Sequence, residues 1–236
     1  MLFSDEKVAT MINDQYEPVW VSLRPVPIVR IDFGNGNVVT RTLHGNIATY
    51  VCDADARVID ILPGIYEPSI YCDRLTQLWW LHRYAHENRD LTAFLRQYHM
   101  KQAALLAKHE EPMRVAPMRD MSKAAIEITL ERILEPAGTH HLGEVAKPLT
   151  HPNFDRPGQL PRWSKLFEDT KVNERARKQI HDLLAAQGPV RPDVITKKVY
   201  REILHADLDD PYLGLGETLF ATYPFREDVP IALRAK

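Results

Sequence analysis

Residues 43–73, LHGNIATYVCDADARVIDILPGIYEPSIYCD, limit what this chain can fold into more than any other stretch. Two apolar runs, 47–52 and 58–62, have the length and the content of β-branched residues that suit strands. Between them, Asp53-Ala54-Asp55-Ala56 carries turn chemistry, because aspartate side chains bond the backbone two residues on and favour a reversal. Gly64 breaks the second run. Glu67-Pro68-Ser69 then opens a helix with proline in its first turn, where the missing N–H is one the helix does not use. These residues predict a hairpin that runs into a helix.

The flanking sequence extends the pattern. Ser4 is placed to cap a helix over 4–15, with Val8, Met11 and Ile12 on one face, and 18–23 (PVWVSL) follows as a strand. Residues 28–33 and 38–43 surround Gly34-Asn35-Gly36-Asn37, a hairpin signal in which glycine and asparagine supply positive φ. From 69 to 107, Tyr71, Leu75, Leu78, Trp79 and His82 recur at helical spacing, with an interruption at 88–90. Trp79 is expected in the core and Trp80 at its rim. After the polar connector 109–117 come a helix over 122–134, a long loop over 135–161, a helix over 173–187 stopped by Gly188-Pro189, a helix over 192–204, and turns. Arg175, Arg177 and Lys178, among Glu174 and Asp169, mix signs along one helix and read as a solvated face.

The hairpin and helix of 43–73 resemble the last β-hairpin and final helix of thioredoxin-like domains. Phe3-Ser4-Asp5-Glu6-Lys7-Val8 and Tyr16-Glu17-Pro18-Val19 are similar to the segment that follows the redox cysteines in that family. Residues 204–216, LHADLDDPYLGLG, resemble uncharacterised regions that follow thioredoxin-like domains in some planctomycete-type bacterial proteins. The fold class implied is α/β: a partial, modified thioredoxin-like domain over 1–88 with an inserted β-hairpin, a helical connector over 89–118, and a mostly helical C-terminal region over 119–236. Only three residues precede the first helix, so either 18–23 keeps an exposed edge or the inserted hairpin covers it.

The chemistry that the family would supply is missing from these residues. There is no Cys-x-x-Cys, and dithiol exchange needs a thiolate at a helix N-terminus with a resolving thiol one turn away. Cys72 near a helix start and Cys52 at a strand end are the two candidate thiols. The family's cis-proline position aligns with Ile47; a non-proline there favours a trans bond, which alters the peptide-docking edge at Asn46 and Ile47. That edge is the expected contact surface. His205, Asp207, Asp209 and Asp210 offer metal-ligand types within six residues, but Tyr212 stands where a calcium loop needs glycine. Those carboxylates read better as turn and cap groups. His140, His141, Glu144 and His151 form a weaker loop cluster.

The 236 residues, 44% apolar with net charge −2, are globular and lack the basic excess of a nucleic-acid binder. No apolar run reaches the roughly 18 residues that span a bilayer. The expectation is a redox-inactive module that binds a protein partner or serves as a structural platform, without a cofactor. Its location reads as cytoplasmic if the chain begins at Met1. Two alternatives stand beside it: a thiol-disulfide oxidoreductase whose Cys-x-x-Cys lies upstream of Met1, and a metal-dependent enzyme built on His205, Asp207, Asp209 and Asp210.

Overall fold

The computed structural model describes residues 2–25, 27–42, 47–118, 128–137 and 160–216. Helix α1, Glu6–Gln15, is capped by Asp5 rather than Ser4: the Asp5 carboxylate accepts the N–H groups of Lys7 and Val8, while Ser4 lies in a short 3-10 turn. A carboxylate suits this end because it also meets the positive pole of the helix dipole. Val8 is fully buried, and Met11 and Ile12 pack against the core.

The central hairpin forms as its sequence demands. Strands β3, Ala48–Cys52, and β4, Val58–Pro63, pair antiparallel with Tyr50 opposite Ile61 and an irregularity at Val51/Cys52. In the turn, Asp53 Oδ1 accepts from the N–H of Asp55 at 3.0 Å and of Arg57 at 2.8 Å. All six residues of β4 are buried. Glu67 caps helix α2, Pro68–Glu87, whose inner face carries Tyr71, Leu75, Leu78, Leu81 and Tyr84. Trp80, not Trp79, packs against the core; Arg83 lies 4.9 Å over the Trp79 ring, a cation–π contact that suits the surface. Asp90 caps helix α3, Leu91–Ala107.

Four expectations are corrected. Residues 18–23 form no strand and have no ladder partner among the described residues, because alternation alone supplies no hydrogen bonds to the backbone. The inserted hairpin, β1 Ile28–Asp32 and β2 Val38–Thr42, makes its own two-stranded sheet instead of filling that position. Of the helix expected over 122–134, the described part is one turn, α4 Leu130–Ile133. It runs into strand β6, Leu134–Glu135, which pairs with β5, Arg114–Val115, and so takes Glu135 out of the expected loop. Helix α5, Leu160–Gln187, starts well before 173 and stops at Gly188, where φ is +75°. Helix α6, Pro192–Lys198, continues as a π-helical turn, Val199–Ile203.

The chain is therefore mixed α/β, with three small antiparallel sheets among the described residues. It divides into two units. Met1–Val19 and Ile47–Pro192 form one, so α3 and α5 share a unit with the central hairpin; Trp20–Asn46 and Asp193–Lys236 form the other. Within the second, Arg24 donates to the carbonyls of Asp210 at 2.6 Å and Pro211 at 3.1 Å.

Candidate functional site

A two-stranded sheet leaves backbone groups that its ladder does not use, and β4 is buried, so each of them needs another partner. Side chains from two helices and the chain beyond α5 supply most of these partners. Val58 N–H donates to Val190 O at 2.9 Å, and Ile61 N–H to Asp60 Oδ1 at 2.7 Å. Ile59 O accepts from His99 Nε2 at 3.0 Å, and Ile61 O from Arg177 Nη1 at 2.8 Å. The strand edge is sealed by a polar cluster drawn from β4, α3 and α5.

Asp60, His99, Arg177 and His181 are each at most 5% exposed. The Arg177 fork grips Asp60 through both arms, Nη2 to Oδ2 at 2.7 Å and Nη1 to Oδ1 at 3.1 Å. His181, one helical turn further along α5, brings Nε2 to 3.3 Å from Arg177 Nη2 and Nδ1 to 2.8 Å from His99 Nδ1. The ring of Tyr98 stands edge-on to both imidazoles, at 5.1 and 6.0 Å between centroids.

Elementary hydrogen counting assigns the protons. A carbonyl only accepts, so His99 carries its hydrogen on Nε2 and leaves Nδ1 as an acceptor. A guanidinium only donates, so His181 Nε2 is the acceptor and its hydrogen sits on Nδ1, pointing at His99. Both rings are neutral. Burial holds both below the usual histidine range, His181 the more strongly because Arg177 adds its charge. Burial alone would raise the Asp60 carboxyl, but Arg177 brings it down to about 2. Burial pushes the Tyr98 hydroxyl up to about 12.

Beside the cluster lies a cleft lined by Arg74, Gln77, Tyr98, Glu174, Arg177 and His181, with ≈ 20 Å³ open to the centre of a water molecule. That volume holds about one water. Arg74 and Glu174 close it with a two-point ion pair. The Tyr66 hydroxyl, which burial pushes above its ordinary range, has no hydrogen-bond partner among the described residues. The same face of α5 grips the loop after β4: Thr170 Oγ1 accepts the Glu67 N–H at 2.8 Å, and Asn173 Nδ2 donates to Ile65 O at 2.7 Å.

Asp60, His99 and His181 bring three metal-ligand atoms within 4.8 Å of one another. The donor chemistry does not fit a cation. Arg177 occupies both oxygens of Asp60, His181 Nε2 faces the guanidinium, and His99 Nε2 is spent on Ile59 O. Of the two imidazoles, one ring lone pair, on His99 Nδ1, is left, and it takes the His181 hydrogen. Nor is this a proton relay, since an obligate donor at one end and an obligate acceptor at the other fix its polarity.

The residues singled out in the sequence lie elsewhere. Cys52 and Cys72 are both free and half-buried. Burial, with Asp53 second, pushes the Cys52 thiol up to about 11, and burial, with Asp5 second, raises Cys72. Neither is the lowered thiol that exchange needs. At the expected docking edge, Ile47 O accepts the Gly64 N–H at 2.6 Å, and Asn46 lies outside the described residues. Asp207 and Asp209 pair with Arg201, Asp209 also with Lys197, and Asp207 and Asp210 accept the N–H groups of Asp209 and Tyr212. His205 sits at positive φ. His140, His141, Glu144 and His151 lie outside the described residues.

The sequence reading missed the cluster and placed Arg177 on a solvated face, which is corrected: it is 5% exposed. Two signals were available, an aspartate in the middle of the otherwise apolar run VIDIL, and Arg177 and His181 one turn apart. Among the described residues, no helix is long and apolar enough to cross a membrane. No family model matches the chain, and neither a curated protein nor a solved structure matches it.

Proposed function

We propose that this chain is a modified thioredoxin-like module without thiol chemistry, which binds a protein partner or serves as a platform for one. Support for the architecture is the antiparallel hairpin β3–β4 running directly into α2. Support for the lack of thiol exchange is the absence of a Cys-x-x-Cys together with two thiols raised above the ordinary range. The observation that carries binding is an exposed apolar segment: Val19 is 81% exposed, Trp20 77% and Val21 68%, outside any helix or strand and with no ladder partner among the described residues. An exposed apolar segment with unpaired backbone is what β-strand addition can take up. Main-chain groups supply affinity, and alternating side chains supply specificity. The partner is a protein that offers an extended strand.

The test places a photoreactive benzoylphenylalanine at Trp20, with a control at the exposed Arg89. The expected result is one discrete adduct at position 20, identified by mass spectrometry, absent at position 89 and lost when Val19→Lys and Val21→Lys are added. Equal labelling at both positions overturns the binding reading. Turnover in an insulin-reduction assay that Cys72→Ser abolishes overturns the redox-inactive one.

A further inference from the structure

We propose that the contact between His99 and His181 is an acid-sensitive clasp: taking up one more proton at either ring releases α5 from the edge of β4. The argument is geometric. The chain Arg177 Nη2–H to His181 Nε2, His181 Nδ1–H to His99 Nδ1, and His99 Nε2–H to Ile59 O has one hydrogen for each gap and no vacant ring nitrogen. A proton added to His99 would set N–H against N–H across 2.8 Å, and one added to His181 would set N–H against the guanidinium at 3.3 Å. Either event also leaves a buried positive charge unbalanced, because Asp60 is already neutralised by Arg177 and Glu174, which lines the cleft beside His181, is held by Arg74.

The charged and titratable groups that face the pair are Asp60 from β4, Arg74 from α2, Tyr98 from α3, and Arg177 on α5 itself. Of these, Asp60 alone is acidic and ionised. What lets go is more than two rings. His99 and Arg177 cover the carbonyls of Ile59 and Ile61, so opening the clasp uncovers backbone acceptors of a buried strand. Because both imidazoles are lowered in the folded protein, the unfolded chain binds more protons below about pH 6.5, and stability falls as the pH falls through that point. Carboxylates act later, Asp60 at about 2, so the histidine window stands apart.

The experiment is urea denaturation of the full chain between pH 7.5 and 5.5, with amide hydrogen exchange followed along β4 and α5. Below about pH 6.5 the unfolding constant is expected to rise about tenfold per pH unit for each histidine, so up to about 100-fold for the pair. Exchange should accelerate first in 177–187. His82→Gln, which removes a lowered histidine outside the cluster, should take away only that residue's share of the slope and leave the faster exchange in 177–187 in place. Histidine ¹⁵N spectra of the unaltered protein supply a reading that needs no variant: His99 in the Nε2–H form and His181 in the Nδ1–H form at pH 7.5. Flat stability across the range, or rings that titrate near 6.5 with no faster exchange in α5, overturns the proposal.

Discussion

Arg177 gives four hydrogen bonds in a buried site, two to Asp60, one to Ile61 O and one to His181 Nε2. Such a pair need not stabilise the fold relative to a well-packed apolar one, but breaking it leaves a lone buried charge. Arg177→Met is therefore expected to cost about 3–5 kcal/mol in urea denaturation. The double variant Asp60→Leu/Arg177→Met should cost less than that single change, since it leaves no lone buried charge and its remaining penalty is the unpaired Ile61 backbone and His181 Nε2. A double variant as costly as the sum of its singles would mean that the two residues do not act as a pair. At the same scale, the paired fork explains why a fully buried aspartate stays ionised.

At the scale of the element, α5 is unusual in docking through polar side chains. Thr170, Asn173, Glu174, Arg177 and His181 recur at intervals of three and four, one face of a helix, and each meets a partner on the β4 loop, α2, β4 or α3. Fit is close at Gly64, whose φ of +78° suits glycine and where an added Cβ would lie 2.3 Å from Asn173 Oδ1. Gly64→Ala is expected to lose about 1–3 kcal/mol from the left-handed backbone alone, with the collision added to it. Adding Asn173→Ala should recover the collision but not the backbone strain, which thermal unfolding of the single and double variants would separate. Full recovery would place the whole cost in the clash.

For the whole molecule, the proposed binding segment and the buried polar cluster use different residues. Val19 and Val21 touch little, so Val19→Lys and Val21→Lys should shift the unfolding free energy by no more than about 0.5 kcal/mol while abolishing the adduct at position 20. A larger loss would make the segment part of the core. The hairpins, helices α1 to α3 and the stop at Gly188 were legible in the sequence, because turn residues, caps and apolar spacing act between near neighbours. The failure at 18–23 has the same origin from the other side: its pattern is that of a strand, yet a strand exists only where a second one meets it. Asp60, His99, Arg177 and His181 are spread over 122 positions, and each alone reads as an ordinary polar residue. Local spacing thus determined the elements. Only the tertiary structure decided that a charged helix face lies inside, because burial and partnership are set by what the backbone of β4 lacks once two helices cover it.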